Sequence, residues 1–361
     1  MKPTRLARGI FRELKGLVGS SEYPNTVDLW CALKEIPLIK LNLKNFGYEL
    51  ARQLQPRLEA IDYSGEPQGH DLVSKPTTQA DMESSWFRFW CNQLQVAPIY
   101  HRKLWEFAFV LQALYEHGIL QSGRDGIGFG CGQEPLASYF ASKNMKALVT
   151  DLAPEQVAGL GWAESGQHAT SLEQAFHPHI VAKELFDANV SHQYIDMNRL
   201  PDFGKTFDFC WSVCALEHVG SIQKGLNFIE NALNVLKPGG IAVHTTEYNY
   251  LSEEKTIDNW PTVLFLRKHF EELATRLAQK GHTMLGPDFE IGDGVLDKFI
   301  DLPPYTLGKS WLSQEQWKDS NQTAHLKLSV DGFACTCFGI VIRKATSQGE
   351  TPGHPHPEFP A

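Results

Sequence analysis

The stretch GIGFGCGQEPLASYFASKNMKALVTD, residues 126–151, decides how the chain folds. It reads as a short apolar strand (Asp125 to Phe129), a glycine-rich turn, a helix opening at Pro135, and a second strand ending in Asp151. Glycine lets the backbone approach a ligand closely and take dihedrals that a Cβ forbids. The helix that follows offers unpaired N–H groups and the positive end of its dipole, and proline fits its first turn at no cost. An acid closing the second strand can accept hydrogen bonds from two ribose hydroxyls. The dinucleotide fingerprint G-x-G-x-x-G fails in every frame, since Gln133 or Pro135 falls on its last position.

Outward from this turn the pattern alternates. HQYIDM, FDFCWSV and IAVHTTE read as strands, and SIQKGLNFIENALNVL as a helix ended by the KPGG turn. Strands separated by helices need crossover connections, which gives a parallel sheet covered on both faces. The predicted fold class is therefore α/β and doubly wound. Upstream, Leu104, Phe107, Ala108, Leu111 and Leu114 fall on one face of a helix that stops near Gly118. Downstream, TVLFLRKHFEELATRLAQKG predicts a helix, and the runs around Asp331-Gly332 predict a hairpin that closes the sheet with an antiparallel element.

The order of glycine loop, Asp151, YIDMN with Asp196, FDFCWSVCALEHVG and LKPGGIAVHTTE resembles the class I S-adenosylmethionine-dependent methyltransferases, from about Leu104 to Lys344. That resemblance implies a seven-stranded, mostly parallel, Rossmann-like sheet whose last strand is antiparallel. It implies S-adenosylmethionine as cofactor, with Gly128, Gly130 and Gly132 in the loop and the last two under its methionine part. Asp151 would hold the ribose, Asp196 the adenine amine and Met197 the adenine ring, while Ser212 and Val213 would line the reacting side. Two positions depart from the family: Gly128 stands where an acid is common, and Glu134 where a third glycine is common. Glu134 can replace the lost acid against the donor's ammonium, or it can cap the following helix, since acids favour helix N-termini.

Composition narrows the function. Apolar residues make up 42% and charged residues 21%, ordinary globular values, and the net charge of -9 argues against a nucleic-acid binder working by bulk electrostatics. Seven cysteines form no disulfide framework and no Cys-x-x-Cys pair, which fits a reducing cytoplasm. Cys335 and Cys337 are expected to pack as a core pair on one side of a strand. No apolar run reaches the roughly 18 to 20 residues of a membrane span. The opening MKPTRLARGIFRELKGLVG is not a signal peptide but has helical periodicity, with Leu6, Ile10, Phe11 and Leu14 opposite Arg5, Arg8 and Arg12. Such a helix packs on its own domain or a partner, or makes weak contact with a membrane surface.

Methyl transfer from a sulfonium is an in-line displacement that needs alignment, and a hydroxyl acceptor needs a base as well. The base candidates are His218, then Glu247, then His244, at the ends of the fourth and fifth strands, where open α/β sheets place ligands. Some related enzymes bind a divalent ion through E-x-x-E-H after strand four. Here Cys214 holds the first position, a poor ligand for a hard cation, and no required metal is expected. Arg102 and Glu106, one helical turn apart, are an expected ion pair. The aromatic segment from Trp86 to Trp105, the region around Trp162 and Gln167-His168, and the insertion with Asp301, Tyr305 and Trp311 are read as lids or as buried packing.

The segments GFGCGQEPL, ALEHVGSI and HTTEYN resemble bacterial methyltransferases encoded with polysaccharide-assembly enzymes, which implies a small-molecule or glycan acceptor, foremost a sugar hydroxyl. The expected organisation is a helical extension over 1–95 with a linker near 61–81, a methyltransferase domain over 96–345 with insertions near 152–190 and 289–324, and a disordered tail over 346–361. The rival readings are a non-catalytic scaffold with this fold, an NAD-dependent oxidoreductase and a nucleic-acid methyltransferase.

Overall fold

The computed structural model describes residues 26–62, 65–154, 172–259, 262–303, 305 and 324–346. The predicted N-terminal basic helix, Trp162, Gln167-His168, Trp311 and the proline-rich tail lie outside these. Among the described residues no helix is long and apolar enough to cross a membrane.

One ten-stranded sheet organises the chain. Its parallel part runs β4 (Val190–Tyr194), β3 (Lys146–Asp151), β2 (Asp125–Phe129), β5 (Phe207–Val213) and β6 (Leu236–Asn249). Against β6 lies β10 (Phe333–Arg343), antiparallel as expected. It is reached through the predicted hairpin from β9 (Lys327–Val330), whose turn residues Asp331 and Gly332 have φ of 46° and 84°. Three short strands share the outer edge of β10. These are β9 beside Phe333–Thr336, β1 (Lys75–Pro76) beside Phe338–Gly339, and β7 (Thr283–Met284) beside Ile342–Arg343. β8 (Ile300–Asp301) adds to β9 in parallel. The seven expected strands are present as β4-β3-β2-β5-β6-β10-β7, and β1, β8 and β9 extend them. The KPGG turn is a bulge inside β6: partners step from Phe207↔Leu236 to Phe209↔Ile241, and Gly239 takes φ 76°.

Strand alternation sorts the side chains into two apolar layers. Phe209, Trp211, Ile241 and Val243 face α3 (Ser85–Gln93), α4 (Arg102–Glu116) and α5 (Leu136–Ser142). Cys210 and Ala242 face α7 (Ile222–Ala232) and α8 (Arg267–Gln279). α7 shows why such helices form here. Ser221 caps it by accepting from the Lys224 amide at 3.2 Å, and Ile222, Leu226, Phe228 and Ile229 recur on its buried side. α4 begins at His101, whose Nδ1 accepts from the Lys103 amide at 3.1 Å, and it ends just before Gly118 (φ 66°).

The aromatic segment upstream of α4 is core. Trp86, Phe87, Trp90 and Trp105 are buried, and the indoles of Trp90 and Trp105 donate to Gln112 (2.7 Å) and Asp81 (3.0 Å). The lid reading fails there, because a lid must present its rings to a ligand and these are enclosed. Truncating one to alanine would cost about 3 to 5 kcal/mol.

Candidate active site

The turn after β2 is built around contacts that exclude side chains. A Cβ on Gly128 would fall 2.3 Å from both Cys131 Sγ and Trp211, so this glycine serves packing beneath the loop. Gly130 (φ 63°) and Gly132 (φ 52°) need the left-handed region that glycine enters freely. A Cβ on Gly130 would meet Ala215 Cβ at 2.6 Å and Met197 Sδ at 3.6 Å, so the segments after β4 and β5 close over the loop. The Gly132 amide reaches both carboxylate oxygens of Asp151 at 3.2 Å. Asp151 is 5% exposed, and burial pushes its carboxyl up to about 7 against that hydrogen bond. Asp196 Oδ1 accepts from the amide and side chain of Asn198, at 2.8 and 3.1 Å, which fixes the carboxylate just beyond β4.

Glu134 does not cap the helix that follows it. α5 has no side-chain cap. Instead Glu134 is buried, and its Oε1 accepts from the Trp211 indole at 2.5 Å, which ties the loop to β5. Burial raises its carboxyl to about 8, partly offset by the indole hydrogen bond and by Lys103.

Two of the predicted residues sit beneath the site. Ser212 and His244 are register partners on β5 and β6, fully buried, with Ser212 Oγ 2.8 Å from His244 Nδ1. The His244 ring meets Phe228 of α7 edge to face, its Nε2 has no partner, and desolvation lowers its pKa to about 3. These groups face the helix layer and cannot exchange protons with a ligand. Val213 is buried at the end of β5, below Cys214.

Above them, at the carboxyl ends of β5 and β6, acids converge. Glu217 is buried and accepts from Thr246 Oγ1 at 3.1 Å. Desolvation raises its pKa to about 7. His218 is partly exposed, with Nδ1 3.2 Å from Thr262 Oγ1 and Nε2 3.8 Å from Glu217 Oε1. Glu247 is buried and ion-paired with Arg102 through Oε1, while its Oε2 has no partner. The expected Arg102–Glu106 pair therefore does not form. Arg102 reaches across to β6, and Glu106 takes Lys103 (3.3 Å), the Thr245 hydroxyl (2.7 Å) and the Cys337 thiol (3.0 Å).

Further out, sequence reading missed a buried network. Lys44, on α1 (Thr26–Glu59), lies 2.6 Å from Asp301, whose other oxygen lies 2.7 Å from His325 Nδ1. His325 stacks on His101, with Tyr305 against its edge. Lys44 and Asp301 are 257 positions apart, so no local signal could pair them. Next to this end of the sheet, a cleft of about 400 Å³ is lined by Asn249, Leu251, Ser252, Ile300, Ser329 and Phe333 among others. A larger cleft of about 830 Å³, lined by residues 198–206 and by Asn231, Asn234 and Val235, opens at the amino ends of β5 and β6, away from these groups.

Against this geometry, the sequence profile described as "Methyltransferase domain" matches residues 100–282, half of the chain. The chain belongs to the methyltransferase-domain family. No curated protein sequence matches this methyltransferase. Among solved structures it is similar to the [4+2]-cyclase SpnF, with 16% identity and a TM-score of 0.44 over 83% of this chain and 97% of that one. It is also similar to phosphoethanolamine N-methyltransferase 2 of Haemonchus contortus in complex with S-adenosyl-L-methionine, with 16% identity and a TM-score of 0.39 over 65% and 52%. Magnesium protoporphyrin IX methyltransferase of Synechocystis, with bound SAH, gives 10% identity and a TM-score of 0.36 over 64% and 80%.

The loop fits S-adenosylmethionine, the cofactor that the order of sequence motifs implies. Two left-handed glycines leave backbone where a side chain would stand. The buried Asp151 carboxylate, with a single N–H donor shared between its oxygens, suits ribose hydroxyls.

Proposed function

We propose that this methyltransferase transfers the methyl group of S-adenosylmethionine to a hydroxyl of a small-molecule or glycan acceptor. Asp151 would hold the ribose, Asp196 the adenine amine, and Met197 with the backbone of Gly130 and Gly132 the flat and methionine parts. The cofactor supplies an electrophilic methyl on a sulfonium, so the chain has to align an acceptor and take its proton. The observation that carries the hydroxyl reading is the Glu217–His218 pair. A carboxyl raised to about 7 lies 3.8 Å from an imidazole that Thr262 orients, at the carboxyl end of β5. A carboxyl that exchanges a proton near neutral pH, set beside an imidazole, suits removal of a hydroxyl proton. His218 is the reachable member and acts as base, while the buried Glu217 stabilises the imidazolium. Glu247, held by Arg102, orients the acceptor. The sugar acceptor rests on resemblance to methyltransferases of polysaccharide assembly, and the nearby cleft, which mixes Asn249, Ser252 and Ser329 with Leu251 and Phe333, suits a ring with one polar and one apolar face.

The test is release of the demethylated cofactor by the purified protein against a panel of saccharides, simple alcohols and matched amines, with wild type and His218→Gln. Turnover on hydroxyl acceptors that His218→Gln removes, with cofactor binding intact, supports the reading. Turnover on amines alone, equal in both proteins, overturns it.

A further inference from the structure

The sequence argued against a metal because Cys214 is a poor ligand for magnesium. The fold changes the chemistry of that position, because it brings Cys337 of β10 and Glu106 of α4 to it. Cys214 Sγ lies 3.4 Å from Cys337 Sγ, a residue 123 positions away, and Cys337 Sγ lies 3.0 Å from Glu106 Oε1. The ligand atoms of Glu106, Cys214 and Cys337 all fall within 4.8 Å of one another, and so do those of Cys214, Glu217 and Glu247, with Cys214 common to both sets. Glu106, Glu217, Glu247 and Cys337 are buried, and Cys214 is partly so.

We propose that Cys214, Cys337 and Glu106, with Glu247 or Glu217 as fourth ligand, form a binding site for a thiophilic divalent cation of the zinc type. Zinc is bound at about 2.3 Å by thiolate and about 2.1 Å by carboxylate, so a tetrahedral site has S···S edges of about 3.8 Å and S···O edges of about 3.6 Å. The two observed edges, 3.4 and 3.0 Å, would each open by about half an ångström, and the fourth ligand, within 4.8 Å of Cys214 but outside the first set, would close on the ion.

A second observation comes from the acid grouped with Cys214 and Glu217. Glu247 Oε2 is buried with no hydrogen-bond partner, a costly state for an acidic oxygen that a cation relieves. Cys214 adds a third. It holds φ 48° without being glycine, pinned by its amide to the Thr245 carbonyl and hydroxyl at 3.1 Å each, and such strain gathers at ligand clamps.

Charge favours the exchange as well. One divalent ion replaces two thiol protons, so the total charge of the buried cluster is unchanged. Arg102 Nη1, 3.2 Å from Cys337 Sγ, becomes a donor to a thiolate, and Lys103 remains on Glu106, the kind of outer contact that steadies metal ligands. The soft sulfur pair selects zinc over magnesium. An ion there would fasten β5, β6, β10 and α4 together beside the acceptor end of the sheet.

Titration of the full chain with cobalt(II), under a non-chelating reductant that keeps both thiols reduced, tests the site without cofactor or acceptor. It is therefore independent of the methyl-transfer reading. The expected result is saturation at one equivalent with tetrahedral visible bands and a thiolate charge-transfer band, bleached by zinc and untouched by excess magnesium. Cys214→Ser and Cys337→Ser should each weaken cobalt binding at least about tenfold, the loss already typical of outer-shell partners. Melting curves would establish that both variants fold, and the wild-type spectrum decides the matter if either does not. Absence of the thiolate band in reduced wild type, or wild-type affinity in both folded serine variants, overturns the proposal.

Discussion

The raised carboxyl of Asp151 makes cofactor affinity depend on pH in a direction that can be worked out. Hydroxyl donors favour the ionised carboxylate, whereas burial holds the unliganded group at about 7. Binding therefore expels a proton, and affinity falls as pH drops through that value. The ionised fraction is about nine-tenths at pH 8 and about one-tenth at pH 6, so the dissociation constant should rise about tenfold between them. Calorimetry at pH 6, 7 and 8, in buffers of different ionisation heat, measures both the affinity and the proton released. Methylthioadenosine, which keeps the ribose but lacks the amino-acid end, should show the same slope, because it retains the contact with Asp151. Asp151→Asn should flatten it. Glu134, raised to about 8, titrates in the same window but is held by the Trp211 indole, so Glu134→Gln should leave the slope in place. The sign carries over to stability: a carboxyl raised above its unfolded value near 4 costs folded stability as pH climbs to about 7. Asp151→Asn without ligand should thus melt above wild type at pH 8. A flat affinity in wild type, or an unchanged slope in Asp151→Asn, refutes the assignment.

Four further outcomes follow from the geometry. Glu134→Gln keeps an acceptor for the Trp211 indole, so its melting temperature and cofactor affinity should stay close to wild type; a tenfold loss of affinity would restore the carboxylate as partner of the donor's ammonium. Arg102→Met strands Glu247 in a buried position and should cost about 3 kcal/mol in denaturant unfolding at pH 8, with a smaller deficit at low pH, where Glu247 protonates; equal loss at both would show that packing dominates. His218→Gln should lower kcat by about 10² to 10⁴ with little change in cofactor affinity, and a change confined to KM would demote it to a binding group. Ser212→Ala with His244→Leu removes both members of a buried pair and should leave activity intact, with nearly unchanged stability; lost turnover in a folded double variant would return His244 to the chemistry.

What could be read from the sequence followed from local rules. The strand–turn–helix around Gly126–Asp151, the helix ending before Gly118 and the hairpin at Asp331-Gly332 depend on near neighbours and came out as expected. The site was harder because its groups meet across the fold. Arg102 pairs with Glu247, not with the residue one turn along its own helix, since the sheet presents a buried acid that periodicity cannot reveal. His244 and Ser212 looked like candidates from their place at strand ends, but alternation turns both toward α7. Glu134 stood at a helix start, where acids usually cap, yet Trp211 one layer below claims it. Cys337 read as one of a packed pair of thiols. It is buried as expected, but among Glu106, Arg102 and Cys214, all far away in sequence.

The crowded outer edge of β10 bears on how the protein is made. Strands from residues 75–76, 283–284 and 327–330 each pair with residues 333–343, the last of the described strands to leave the ribosome. While the chain is growing, the half of the sheet that carries Gly130 and Asp151 can assemble, but β6 exposes an unpaired edge and three short segments wait for a partner. Such an edge invites pairing with other chains until it is filled. The sheet is thus completed last among the described strands, by a strand that closes four gaps at once. Chaperone binding that covers the β6 edge until residues 333–343 are made should improve the yield of folded protein more than the same help given earlier.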